Sequence, residues 1–83
     1  MNPTTLQTKL VEIFRDSLGL GADAVVDDLR YAEIPQWDSI AHMALIAAIE
    51  EGFDIMIDAE DVIGMNSFAV ANAIVAKYLQ QQV

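Results

Sequence analysis

Side chains that could perform chemistry are scarce in this chain of 83 residues. It holds no cysteine and a single histidine, His42, so a thiolate nucleophile and a thiolate metal site are both excluded. The segment Trp37-Asp38-Ser39-Ile40 precedes an apolar run. Asp38 is a good N-cap for a helix beginning at Ser39, whose hydroxyl would then lie at the positive end of the helix dipole. A serine in that place is a nucleophile, a site of covalent attachment, or an ordinary solvated helix-start residue.

A catalytic triad is the first of these alternatives to fail. Asp38, Ser39 and His42 fall within one helical turn, and three residues so placed cannot adopt the triad arrangement. The sequence also shows no loop that would supply oxyanion-binding N–H groups. We therefore expect no catalytic residue, and a protein that is not an enzyme.

Helical periodicity predicts three main helices that would position Ser39. Asn2 followed by Pro3 is typical of a helix start, and Gly19 of a helix end. The second helix is the one that follows Asp38, and the last begins after Asn66 or Ser67. The residues predicted to face the core are Leu6, Leu10, Ile13, Phe14 and Leu18 on the first helix, His42, Leu45, Ile46, Ile49 and Phe53 on the second, and Phe68, Ala71, Ile74, Val75, Tyr78 and Leu79 on the last.

The segment 22–36 shows no sustained period and is predicted to be a long loop. One short helical turn is expected near residues 27–30. The aspartates of this loop lack the alternating oxygen ligands and the closing glutamate of a calcium site, so no metal is implied. The side chains expected to anchor the loop are Val25, Val26, Leu29, Tyr31 and Ile34.

A short helix is predicted after Asp58, with Asp61 at its third position as in a capping box. Residues 80–83 are expected to fray. The fold prediction is a single all-α domain over residues 1–83, a small bundle of three main helices plus one short helix. Because aromatic residues make up only 7% of the chain, the core is expected to be aliphatic.

The charge of the chain restricts its partners. Thirteen acidic and four basic residues give a net charge of −9, which excludes the basic surface that a nucleic-acid partner requires. Such a charge favours docking on basic patches of other proteins, although surplus carboxylates also simply keep a small domain soluble. No apolar run approaches the ~18–20 residues of a membrane span, and residues 1–10 hold no signal core. We therefore expect a soluble, cytoplasmic monomer that makes no membrane contact.

The segment WDSIAHMALIAAIEEGFDIMI, residues 37–57, resembles the attachment segment of the acyl carrier protein family, whose hallmark is Asp-Ser-Leu at the start of the second helix. The likeness runs from about Leu6 to Leu79. It implies a four-helix bundle that carries 4′-phosphopantetheine on Ser39, next to Asp38. A phosphopantetheinyl transferase would donate the arm from coenzyme A. The thiol of the arm would then hold acyl groups as thioesters for enzymes of fatty-acid, polyketide or related biosynthesis.

The same resemblance implies docking to acyl-transferring or acyl-modifying enzymes that bear basic patches. Small apolar residues on the outer face of the second helix suggest a contact surface, although alanine is also the best helix former. Met43 and Ile57 are equally plausible as a border for an acyl chain or as plain core. The residues assigned to partner docking are Ile40, Met43, Ala47, Glu50, Glu51 and Ile57.

The sequence departs from the family pattern at three positions of the second helix, and it leaves the exact function and the role of His42 open. Ile40 replaces the leucine of the motif, and Ala41 and Ala44 stand where carriers of primary fatty-acid synthesis often have acidic residues. Ile40 keeps an apolar side chain at its position, whereas the two alanines point to a specialised carrier. A peptidyl carrier of aminoacyl groups and an unmodified acidic helical adaptor are the alternative functions. His42 either reaches the phosphate of the arm or bonds a loop carbonyl.

Overall fold

The computed structural model describes residues 2–81. No strand forms within this range, where the β pairing is one isolated bridge between Arg30 and Ser67. The expected all-α bundle, with a long loop after its first helix, is confirmed. Residues 80 and 81 belong to the last helix, so the predicted fraying is wrong there, and residues 82 and 83 lie outside the described range. The helices are α1 (Pro3–Ser17), α2 (Ser39–Phe53), α3 (Ala59–Gly64) and α4 (Phe68–Gln81).

The first helix begins and ends as its sequence predicts. Asn2 Oδ1 accepts a hydrogen bond from the Thr5 N–H at 2.8 Å, and Pro3 occupies the first turn, where its missing N–H costs nothing. After Leu18 the backbone turns into the left-handed region at Gly19, with φ +67°. This conformation suits glycine and redirects the chain into the long loop.

An aromatic cluster lies at the centre of the core. Phe14 of α1 is fully buried and meets Trp37 and Phe68 edge-on, with ring centroids 5.3 Å and 5.0 Å apart. The expectation of an aliphatic core is therefore wrong at its centre, because three of the few aromatic residues converge there. Aliphatic side chains surround the cluster, as predicted: Leu6, Leu10, Leu18, Leu45, Ile46, Ile49, Ile74 and Val75.

Gly52 of α2 lies against the side chain of Ile13 on α1. A Cβ added to Gly52 would lie only 2.8 Å from Ile13 Cδ1, so the glycine leaves room for the end of that side chain. The helix runs to Phe53, and the left-handed cap is Asp54, with φ 56°.

The long loop is held by fewer anchors than predicted. Val26 and Leu29 are buried, whereas Val25 is 81% exposed and is not an anchor. The expected helical turn is instead a tight turn, closed by a hydrogen bond from the Leu29 N–H to the Val26 carbonyl oxygen at 3.0 Å. The loop thus rests on the core at a few points and delivers the chain to Trp37.

The third helix differs most from its prediction. Asp58 occupies the N-cap position, but its side chain makes no capping hydrogen bond, so the expected capping box is absent. The Asp61 carboxylate instead reaches α4, where it contacts Lys77 and Tyr78. None of the six residues of α3 is buried. This helix is held by these hydrogen bonds together with the half-buried Val62, which packs against the core.

The left-handed turn at Gly19 yields a test of the fold. A Cβ at Gly19 and a Cβ at Gly64 would both meet nothing within 4 Å, and only Gly19 has a positive φ. We expect Gly19→Ala to lower the free energy of unfolding by about 1 kcal/mol, because alanine is strained in the left-handed region. Gly64→Ala should leave it unchanged or slightly higher. Urea unfolding of both variants measures the difference, and equal stabilities would contradict this account of the turn.

Candidate functional site

Ser39 is the first residue of α2, and its side chain is exposed. Asp38 precedes it in an extended conformation, and Asp38 Oδ1 accepts a hydrogen bond from the Ala41 N–H at 2.8 Å. The predicted cap and helix start are therefore confirmed. The serine hydroxyl lies at the positive end of a 15-residue helix, where an attached anion is favoured by about 0.3–1 kcal/mol.

Trp37 fixes the position of this helix end. Its side chain is completely buried and lies edge-on to Phe14, and also edge-on to Tyr31 with ring centroids 5.9 Å apart. The residue two positions before Ser39 is therefore anchored in the core. Because α2 starts immediately after this anchor, the hydroxyl of Ser39 projects from a rigid part of the backbone.

His42 connects this anchor to α3. Its Nδ1 receives a hydrogen bond from the Trp37 Nε1–H at 3.0 Å, and its Nε2 lies 2.8 Å from the Val62 carbonyl oxygen. Of the two roles proposed for His42, the bond to a carbonyl is the one observed, but the carbonyl belongs to α3 and not to a loop. Both ring nitrogens are occupied, so His42 is not placed to act as a general base for Ser39.

An apolar groove of about 410 Å³ opens beside Ser39, between α2 and α3. Half of its eight lining residues have hydrocarbon or thioether side chains, so it suits a ligand with an apolar part. Four of its residues belong to α3 or the segment that follows, which the sequence did not mark as functional. The residues that line it are Tyr31, Ser39, His42 and Met43 on one side, and Val62, Ile63, Met65 and Asn66 on the other.

The predicted docking residues do not all reach the surface. Ile40 and Met43 are 81% and 60% exposed, and Ala47 and Glu51 are also exposed. These four residues lie on the solvent-exposed side of α2, the same side on which the groove opens. Ile57, however, is buried, which corrects its assignment to docking, because its side chain packs in the core after α2.

Glu50 is half-buried and has a structural contact. Its Oε2 accepts a hydrogen bond from the Ile57 N–H at 2.9 Å, which holds the segment between α2 and α3. Its carboxylate is thus partly used within the protein and is less available to a partner than that of Glu51. Reversing its charge would disturb this connection as well as any docking.

Sequence reasoning missed Ile63 and Tyr31 as parts of the site. Ile63 is 83% exposed at the groove, and Tyr31, expected to be a loop anchor, is 39% exposed there. A six-residue helix is too short to show a periodic apolar face. The sequence signal that could have identified Ile63 is a large apolar residue in a short segment that has too few other apolar residues to form a buried face.

The two helices that flank the groove carry negative charge and no positive charge. Neither α2 nor α3 contains a lysine or an arginine, whereas together they contain four carboxylates. Within residues 2–81, no cluster of three or more potential metal ligands is found. None of the helices described is long and apolar enough to cross a membrane.

A polar cluster joins α3 to α4. The Tyr78 hydroxyl donates to Asp61 Oδ2 at 2.6 Å and accepts a hydrogen bond from the Asp58 N–H at 2.9 Å. Lys77 Nζ also donates to Asp61 Oδ2 at 2.8 Å. The hydrogen bonds from Lys77 and Tyr78 lower the pKa of the Asp61 carboxyl. The bond to this carboxylate raises the pKa of Lys77 and that of Tyr78, because it stabilises their protonated forms.

Known proteins resemble the chain over nearly its whole length, although no family model matches it. It is 31% identical over 77 residues to the acyl carrier protein of Akkermansia muciniphila, covering 93% of this chain and 96% of that protein. It is 31% identical over 78 residues to the acyl carrier protein MbtL of Mycobacterium tuberculosis, covering 93% of each. The solution NMR structure of the holo acyl carrier protein from Geobacter metallireducens superposes with a TM-score of 0.79 at 25% identity, covering 92% of this chain and 87% of that one.

The α3–α4 cluster makes stability depend on pH. The pKa of Asp61 in the folded state is below its usual value of 3.8. The ionised Asp61 carboxylate therefore stabilises the fold fully above pH 3.8, and this stabilisation is lost as the pH falls through the folded-state pKa. We expect the free energy of unfolding of the wild type, relative to that of Asp61→Asn, to decrease as pH falls below about 4. Urea unfolding over a pH series measures this difference.

Two further variants separate the two causes of the lowered pKa of Asp61. In carboxyl NMR titrations, Lys77→Met should raise the pKa of Asp61 more than Tyr78→Phe does, because the Lys77 hydrogen bond is the larger contribution. An Asp61 pKa that neither variant changes would show that the cluster does not form in solution.

Proposed function

Because the chain belongs to the acyl carrier protein family, we propose that it carries acyl groups as thioesters on a 4′-phosphopantetheine arm attached to Ser39. The observation that carries the proposal is the exposed hydroxyl at the first turn of α2, directly beside an apolar groove. A phosphopantetheinyl transferase would donate the arm from coenzyme A, and the thiol of the arm supplies the thioester. The residues present fit this group, since a phosphodiester on Ser39 is an anion at a helix N-terminus.

The protein's own residues would hold and present the arm. Asp38 caps the helix through the Ala41 N–H and thereby keeps the first turn of α2 formed. Trp37 anchors that turn in the core. The arm itself would provide reach, while the rigid helix end would determine where the arm begins. Nothing in this arrangement requires the carrier to perform chemistry, because the partner enzymes do so.

The groove suits the apolar part of a short acyl group or of the arm. Its volume of about 410 Å³ lies within the range of about 300–1,000 Å³ that small-molecule pockets occupy. Met43 and Ile63 border it and are exposed at its mouth. An acyl chain released from a partner enzyme would therefore find apolar contacts close to its attachment point.

Partner enzymes would dock on the solvent side of α2. Ile40, Met43 and Ala47 present apolar surface there, and Glu51 adds an exposed carboxylate. A partner with a basic rim around an apolar contact would match both features. Ala44, exposed on the same helix, supports assignment to a specialised carrier, because carriers of primary fatty-acid synthesis often have an acidic residue there.

Intact mass spectrometry tests the attachment. After incubation with coenzyme A and a promiscuous phosphopantetheinyl transferase, the wild type should gain the mass of one 4′-phosphopantetheine group. Ser39→Ala should gain none, because the hydroxyl that forms the phosphodiester is gone. Ser67→Ala, which removes the hydroxyl at the start of α4, is the matched control and should gain the same mass as the wild type. A gain that survives Ser39→Ala, or no gain in the wild type, would refute the carrier proposal.

Charge reversal tests the docking surface. Glu51→Lys should slow modification by about threefold to tenfold at low salt, because it removes attraction to a basic partner. Glu12→Lys changes the net charge equally, but on the exposed surface of α1, and should change the rate less. The effect of Glu51→Lys should shrink as added salt shortens the screening length. Equal rates for the two variants would mean that only net charge matters, and docking at α2 would be rejected.

A further inference from the structure

The α3 wall of the groove is attached to the bundle by hydrogen bonds on two sides. Towards α4, Asp61 and the Asp58 N–H contact Tyr78. Towards α2, the Val62 carbonyl oxygen contacts His42. No residue of α3 is fully buried, and its half-buried Val62 packs against the core, so less apolar burial opposes its displacement than that of the other helices when one of these attachments is lost.

The contacts of His42 determine which form of its ring is present. An indole N–H can only donate a hydrogen bond, so Nδ1 of His42 must accept the bond from Trp37 Nε1. Nδ1 therefore carries no hydrogen, and Nε2 carries one, which it donates to the Val62 carbonyl oxygen. The observed geometry thus requires a neutral imidazole with its hydrogen on Nε2.

We propose that His42 is a positioning residue that fastens α3 to the start of α2 only while its imidazole is neutral, so that protonation of the ring releases the α3 wall of the groove. Protonation would put an Nδ1–H against the Trp37 N–H, two donors facing each other. Trp37 is completely buried and cannot withdraw, so the imidazole must turn. Since both nitrogens belong to one rigid ring, turning it away from Trp37 also breaks the bond to Val62.

In the described residues, no hydrogen bond or ion pair joins His42 to a carboxylate. In the described part of the chain, the residues that line the groove with it include no carboxylate. Tyr31 faces the imidazole at 5.4 Å between ring centroids. At the start of α2, the helix that carries His42, the Asp38 carboxylate accepts a hydrogen bond from the Ala41 N–H. On α3, the Asp61 carboxylate is bound to Lys77 and Tyr78, and Glu60 is exposed.

This inference goes beyond the carrier function and does not depend on modification of Ser39. It predicts that the shape of the groove changes with pH through one side chain. A bound apolar group would consequently be held less well in acid, even though no groove residue other than His42 changes its charge there. The tests use the unmodified chain, so their failure would leave the attachment proposal standing.

The tautomer is tested first, in the wild type. Long-range proton–nitrogen NMR of the imidazole at neutral pH should show a single neutral form with its hydrogen on Nε2. A ring that carries its hydrogen on Nδ1, or one that is already charged, would overturn the proposal, because neither form can accept the Trp37 hydrogen bond. This measurement needs no variant and is therefore independent of folding defects.

Amide hydrogen exchange then tests the release. Protection of the Val62 amide should fall about tenfold when the pH is lowered until the imidazole nitrogen shifts of the same sample report a charged ring. His42→Gln keeps a neutral donor and acceptor but gains no proton, so its α3 protection should not change over the same interval of pH. Wild-type protection that does not fall, or a fall of the same size in His42→Gln, would overturn the proposal.

Tyr78→Phe provides the matched control, because it removes two of the hydrogen bonds that attach the α3 segment to α4, keeps the one from Lys77 to Asp61, and leaves His42 intact. Its α3 protection should be lower than that of the wild type at both pH values. The additional loss on acidification should remain about tenfold, since that step belongs to His42. If Tyr78→Phe abolished the pH dependence, the release would have to be assigned to the α3–α4 cluster, and the proposal for His42 would be rejected.

Discussion

The edge-on contact between Trp37 and Phe14 is the interaction on which the rest of the structure depends. It joins the end of a long loop to the last turn of α1 at the centre of the core. Because α2 begins two residues after Trp37, the same contact fixes the place and direction of that helix. The indole also donates to His42, and through His42 the contact extends to α3. One buried side chain thus links the hydroxyl of Ser39 with both walls of the groove.

The helices differ in how they are held. α1, α2 and α4 bury large apolar side chains against one another, whereas α3 buries no residue fully and is held by hydrogen bonds and by the half-buried Val62. This division suits a carrier. The attachment point must be constant for every partner enzyme, while the wall beside it must accommodate cargo that enters and leaves. Burial supplies the first property, and breakable polar contacts supply the second.

Much of this arrangement follows from local sequence. The cap at Asn2, the start of α2 at Ser39 and the buried stripe of each long helix were predictable, because caps and helical periodicity act over a few residues. The α3 contacts were not, because Asp61 was interpreted from its neighbours in sequence, and its actual partners lie on α4.

The site was predictable to a similar degree. Ser39 and the exposed side of α2 could be identified from the segment that resembles carriers. The place of Trp37 in the core, the bond from His42 to Val62 and the groove wall at Ile63 depend on contacts between distant parts of the chain. Val25 shows the reverse error, because a β-branched apolar residue in a loop was expected to be buried and lies exposed. Loops carry no period from which burial can be inferred.

The central claim is that Ser39 bears the arm and that this chain holds a substrate for other enzymes. A phosphorus–proton correlation NMR spectrum of the transferase-treated protein tests it most directly, because it detects the new bond itself. The account predicts one phosphodiester phosphorus coupled to the β-protons of Ser39, with amide shift changes concentrated in the first turn of α2 and along the groove. A phosphodiester coupled to any other side chain, or no phosphodiester signal at all, would contradict it.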